Sequence, residues 1–240
     1  MTAFDASGIR ALAFDVFGTT VDWCSGIARE AEALLAPRGY ALDWTAFANR
    51  WRREYQPAMD AVRTGARDYV TMDRLHLEML DAALDEFGVG GLSADEKCDF
   101  AFAWRKLDPW PDTIAGMLRL KSRFTLAALS NANIALAVAM ARRAGLPWDV
   151  VLGAELVGTY KPMPAIYDSA PAFLGVEPGE VMMVACHVWD LRAAAGRGLR
   201  TAYVWRPDEY GPGSGGPPPE PGEFNVVATD FLELAERLGA

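Results

Sequence analysis

The sequence predicts an α/β fold in which a parallel sheet is covered by helices on both sides and an all-helical block is inserted near its start. Three observations support this. Between residues 124 and 205, short apolar runs alternate with helix-period segments, a pattern that right-handed crossovers turn into a parallel sheet. An isolated apolar run at 11–17 is separated from that series by helix periods over 25–122 with almost no β-branched runs. Polar residues collect at the ends of the apolar runs, the edge where an open parallel sheet binds its ligands.

Composition narrows the class. With 240 residues, 51% of them hydrophobic and 23% charged, the chain can form one large domain or a core with a second domain inserted. The net charge of -9 repels nucleic acid and anionic lipid, so neither is an expected partner. It also repels an anionic substrate, which would need local cations to be held. No apolar run reaches the roughly 18–20 residues of a membrane span. Residues 1–6 lack the basic start and apolar stretch of a signal peptide. Cys24, Cys98 and Cys186 are too few and too scattered for a disulfide framework, so they read as small buried hydrophobes in a reducing cytoplasm. With His76 and His187 they match no usual zinc spacing, and no metal or cofactor is expected.

The elements follow in order. Run 11–17 stops at Gly18 and reads as a strand buried on both faces. Helices are expected near 25–36, 43–63, 68–87 and 93–106, the second kinked at Pro57, and Pro109 and Pro111 mark the return. A strand at 124–129 leads to helix 132–144, ended at Gly145. A short strand at 150–152 follows, then helix 163–174, ended at Gly175. Strand 181–186, helix 190–198 and strand 201–205 complete the series. Segment 206–222 holds eleven glycines and prolines and cannot be regular; it reads as a site-covering loop or a plain connection.

The strand ends deliver Asp15 and Thr19, then Ser130 and Asn131, then Lys161, then His187 and Asp190. Four such deliveries on one edge point to a catalytic site. Phe14-Asp15-Val16-Phe17-Gly18-Thr19-Thr20 resembles the first motif of the haloacid dehalogenase-like hydrolases. Leu129-Ser130-Asn131 resembles their second, Tyr160-Lys161-Pro162 the third, and Trp189-Asp190 part of the fourth. The resemblance covers essentially the whole chain. It is closest to the type II 2-haloacid dehalogenases, because Trp51-Arg52 stands where that family has its halide-contacting arginine. It implies a Rossmann-like core at 1–22 and 108–240 with a helical cap at 23–107.

Most members of that superfamily are phosphatases, which carry a second aspartate two places after the nucleophile to protonate the leaving alkoxide. Here that place is Phe17. A halide leaves as a stable anion and needs no such acid. Asp190, flanked by Trp189 and Leu191, is also too sparse an acid set for magnesium. The implied reaction is hydrolysis of a short 2-haloacid, such as a haloacetate or an L-2-halopropionate, through an ester on Asp15.

In that reading Lys161 lowers the Asp15 pKa, backbone amides near Thr19 hold its spare oxygen, and Thr19 orients it. Arg52, helped by Asn131, receives the halide. Ser130 and the backbone near Phe17 bind the substrate carboxylate, Tyr167 lines the pocket, and Asp190 orients or deprotonates water. Each residue also has a plainer reading. Thr19, Ser130, Asn131 and Asp190 could cap local turns or helices, and Tyr167 could be core. Arg52 could lie on a solvated face, leaving Arg53 as the halide ligand. The fourth motif departs from the better-known members. His187 stands where they have asparagine, and Ala185 where they have serine. His187 then either replaces the lost polar groups at the halide end, which would suit fluoride, or merely bonds a backbone carbonyl. His76 reads as structural. A phosphatase and an idle binding protein of the same fold are the alternatives. Trp23, Trp44, Trp51, Trp104 and Trp110, in or beside the cap, read mostly as helix packing, with one or two walling the pocket and any exposed remainder serving a homodimer.

Overall fold

The chain begins with β1 (Ala11–Phe14), whose four residues are buried on both faces, as expected of the central strand of a covered sheet. The strand ends sooner than the apolar run because Phe17 leaves the ladder and makes a single bridge to Val21. In this computed structural model residues 4–220 and 222–240 are described; residues 1–3 and Pro221, and the expectations that touch them, lie outside.

A two-residue strand β2 (Val21–Asp22) carries the chain away from the sheet, and β3 (Asp108–Pro109) brings it back antiparallel, Val21 opposite Pro109. This ribbon was not expected. Between its strands lie α1 (Trp23–Leu35), α2 (Trp44–Arg53), α3 (Tyr55–Arg63), α4 (Met72–Glu86) and α5 (Ala94–Ala101). Asp22 and Asp43 cap α1 and α2 through their carboxylates, and Ser93 with Glu96 forms a capping box at α5. The helix expected at 43–63 is two helices that break at Glu54. Pro57 is no kink: it falls in the first turn of α3, where its missing N–H costs no hydrogen bond. The stretch 68–71 is not helical, and beyond α5 the chain tightens into a 3₁₀ turn at Phe102–Arg105.

After β3 comes α6 (Thr113–Lys121), then β4 (Thr125–Ser130), α7 (Ile134–Ala144), β5 (Val150–Gly153), α8 (Pro164–Leu174), β6 (Val181–Ala185), α9 (Val188–Ala195) and β7 (Arg200–Val204). A further strand, β8 (Val226–Ala228), and helix, α10 (Phe231–Arg237), follow. No separate element was expected at α6, β8 or α10. The six-stranded sheet runs β5-β4-β1-β6-β7-β8, all parallel. Phe14 pairs with both Ala128 and Val184, so Asp15 leaves the sheet one residue before Ser130 and Cys186 reach the same edge from the two flanking strands.

One face of the sheet is covered where α10, whose Phe231 ring lies 5.6 Å from that of Phe14, meets α6 at Gly116. A Cβ at Gly116 would lie 2.4 Å from Phe231 Cβ and 2.6 Å from its carbonyl carbon, so only glycine admits this approach. Asp112 ties the corner together by accepting from Arg206 at 2.8 and 2.9 Å and from the Phe231 N–H.

Candidate active site

Asp15 leaves β1 with its N–H donating to Val184 O, which aims its side chain off the sheet edge. Lys161 Nζ donates to Oδ1 at 3.1 Å. Oδ2 accepts from the Thr19 hydroxyl at 2.9 Å and lies 3.1 Å from His187 Nδ1. The spare oxygen is thus held by two side chains, not by the backbone amides the sequence suggested. Burial would push the Asp15 pKa up. The Lys161 charge and the His187 and Thr19 contacts overcome this and hold it well below the usual carboxylate range.

Lys161 is fully buried and also donates to Asp190 Oδ2 at 2.6 Å. Burial would lower its pKa, but Asp15 and Asp190 on either side keep it charged. Asp190 lies in the first turn of α9, so it does not cap that helix; His187 occupies the cap position. Its other oxygen accepts from the Tyr167 hydroxyl at 2.7 Å. Burial raises the Asp190 pKa against the pull of Lys161, and Asp15 adds to the rise. Tyr167 is fully buried, so it supports Asp190 and does not line an open pocket.

Ser130 and Asn131 do not cap α7, whose N-cap is Asn133. Ser130 Oγ accepts from the Ala132 N–H at 3.1 Å, a local turn at the strand end. Asn131 Oδ1 accepts from the Lys161 N–H at 2.8 Å, which fixes the lysine loop and leaves Nδ2 as the donor.

Arg52 projects from α2. Its guanidinium carbon lies 3.6 Å from the Tyr55 ring centre and 5.3–5.9 Å from those of Phe17, Trp23 and Trp104. Its Nη1 is buried without a hydrogen-bond partner among the described residues. By contrast Arg53, the fallback, pairs with Glu86, and Arg50 with Glu54 and Glu86. Phe17 is buried with Tyr55, His76 and Trp104 edge-on around it. His76 stacks on Trp104 at 4.2 Å, and burial, with the Arg52 charge, holds its pKa well below the usual value. A cleft of about 330 Å³ is lined by Arg52, Tyr55, His187, Trp189 and Tyr210.

Among the described residues the His187 ring bonds no backbone carbonyl. Its Nε2 sits 2.9 and 3.1 Å from the two oxygens of Glu209, a residue outside the four motifs. Glu209 belongs to the Gly/Pro segment, so that segment's first turn reaches the site. The Trp23 indole donates to Glu209 Oε1 at 3.1 Å. Gly18, at φ +86°, makes room: a Cβ there would lie 2.3 Å from the same oxygen. The readable hint was an acidic residue beside an aromatic, Glu209-Tyr210, at the start of an otherwise Gly/Pro-rich stretch. Burial would lower the His187 pKa, but Cys186, Glu209 and Asp15 raise it well above the ordinary value.

Cys186, His187 and Glu209 bring potential metal-ligating atoms within 4.8 Å of one another, a grouping that sequence spacing hid. The 2.9 Å from Nε2 to Oε1 is hydrogen-bond distance; two ligands sharing a tetrahedral zinc stand about 3.3 Å apart. Burial also pushes the Cys186 thiol up, away from the thiolate a metal needs. Cys24 is buried as expected, whereas Cys98 is exposed.

Known proteins share this fold. A defluorinating L-2-haloacid dehalogenase, Rha0230, superposes with a TM-score of 0.92 at 42% identity over 100% of both chains. The L-2-haloacid dehalogenase PA0810 does so at 0.90 and 44%, covering 96% of this chain and 99% of that one. (S)-2-haloacid dehalogenase 1 of Pseudomonas sp. (strain CBS-3) is 31% identical over 84% of this chain and 88% of its own length. The family model for haloacid dehalogenase-like hydrolases matches residues 9–198, and the chain belongs to that family.

Proposed function

We propose that the enzyme hydrolyses short 2-haloacids to 2-hydroxyacids and halide through an ester on Asp15. One observation carries this reading: an ionised carboxylate at the sheet edge, clamped by Lys161 and Thr19, with Phe17 where an acid would serve a phosphate leaving group. The similarity to haloacid dehalogenases supports it.

Asp15 attacks the halogen-bearing carbon from the face opposite the halogen. Arg52 receives the halide with Asn131 Nδ2, because its buried unpaired Nη1 can stabilise charge as it develops. Ser130 and the backbone near Phe17 hold the substrate carboxylate, and the helical block 23–107 acts as a cap. Asp190, with both oxygens committed, positions Lys161. For the same reason the donor set does not fit a magnesium ion: one carboxylate is tied up internally and the other is clamped by cations. Fluoroacetate belongs in the substrate range, on the similarity to the defluorinating relative and on His187 as a donor near the site. We place the enzyme in the cytoplasm, in keeping with its free cysteines. The homodimer would need other surface than the five tryptophans in or beside the cap, which are buried or half-buried.

Mass spectrometry after many turnovers of chloroacetate in ¹⁸O-water tests the route. Label should appear in the Asp15 carboxylate, and Asp15→Asn should abolish chloride release. An unlabelled protein after full turnover would overturn the ester. Fluoride from fluoroacetate, measured against chloride from 2-chloropropionate, tests the substrate range.

A further inference from the structure

We propose that Glu209 and His187 are the base that hydrolyses the enzyme-bound ester, His187 Nδ1 taking the proton of the attacking water while Glu209 holds the opposite ring nitrogen. This rests on the ester route above and assigns its second half.

Geometry selects this pair. His187 Nδ1 lies 3.1 Å from Asp15 Oδ2, so a water bonded to that nitrogen faces the Asp15 carbonyl carbon it must attack. Glu209 bonds Nε2 and fixes the tautomer whose Nδ1 is free to accept, the part played by the carboxylate in other acid–base triads. Glu209 is itself held by the Trp23 indole and seated against Gly18, where a side chain at position 18 would push it aside. The other groups around Asp15 are unsuited. Lys161 is a charged donor between two carboxylates, and Asp190 has given both oxygens to Lys161 and Tyr167.

The charges also set the order of events. In the resting enzyme two carboxylates flank the imidazole and keep it protonated. Ester formation removes the Asp15 charge, and the ring releases one proton to solvent through the cleft it shares with Trp189 and Tyr210. The water oxygen then bonds to Asp15 Cγ as its proton passes to Nδ1. The tetrahedral species collapses by breaking the bond from Cγ to the substrate oxygen, and that alkoxide takes the proton back to become the product hydroxyl. Asp15, left as the acid, protonates Nδ1 and restores the resting pair. One proton leaves per turnover, as haloacid anion plus water giving hydroxyacid anion and halide requires.

The test is Glu209→Gln in the full chain with chloroacetate. Alkylation of Asp15 should survive, giving a burst of one chloride per enzyme. Steady turnover should then fall about a hundredfold or more, with a carboxymethyl ester on Asp15 accumulating in intact-protein mass spectra. Glu209→Asp, which keeps the charge, should recover part of the turnover. The burst itself reports a folded site. If Glu209→Gln does not fold, Trp23→Phe removes only the indole N–H and should show a smaller accumulation of the same ester. Unchanged turnover in folded Glu209→Gln overturns the proposal, and so does slow turnover without ester, which would put the loss in alkylation. If the unmodified enzyme releases no chloride at all, the haloacid reading fails first and the base with it.

Discussion

Among the three arginines that follow Asn49, only Arg52 forms no ion pair among the described residues. Arg52→Lys should therefore cost about a hundredfold in kcat/KM for chloroacetate, because a lysine replaces the guanidinium fork with a point charge. Arg53→Lys, on an exposed residue facing Glu86, should leave it unchanged; equal losses in both would remove Arg52 from the halide end. His187 gives a stability prediction. Its pKa is raised above the ordinary imidazole value of 6.5, so its pairing stabilises the fold fully below that value and fades as pH climbs through the raised one. The melting temperature gap between wild type and His187→Gln should be widest at about pH 6 and shrink in alkaline buffer. Asp15, Thr19, Lys161 and Asp190 were legible because each falls in a patterned motif in the stretch that follows a strand. Glu209 was not, because its partner His187 is twenty-two residues away and their contact depends on how an irregular segment folds back.

At the scale of elements, legibility mostly followed length, although the nine-residue α6 merged into the helix periods before β4. Strands β1, β4, β6 and β7 and helices α1, α4, α7 and α8 carry enough buried residues for their periods to show. The two-residue ribbon, the three-residue β8 and the seven-residue α10 fall below any periodic window, and their burial comes from neighbours. The α6–α10 crossing is one such neighbour effect. Gly116→Ala should destabilise the protein by about 1–3 kcal/mol, because backbone atoms of Phe231 stand where the methyl must go. Thermal unfolding measures this directly, and an unchanged melting point would mean the two helices can move apart without cost.

For the whole molecule, the net charge of -9 and the site work against each other on an anionic substrate. Within the site, Arg52, Lys161 and His187 balance Asp15, Asp190 and Glu209, three charges of each sign. Attraction must therefore come from where the cations lie, not from their number. Raising ionic strength with a non-halide salt shortens the screening length from about 30 Å at 0.01 M to about 8 Å at 0.15 M. It should raise kcat/KM for chloroacetate modestly, by hiding the distant negative field more than the nearby cations. A fall would mean that the cations steer the substrate from long range.

The pair of indoles beside Arg52 carries one more consequence. Trp23 and Trp104 are fully buried, stacked 6.0 Å apart at 20°, and both face the guanidinium. Two chromophores fixed at that spacing couple optically. An anion settling against the arginine should therefore change near-ultraviolet circular dichroism, so the protein contains its own reporter of occupancy without any attached dye.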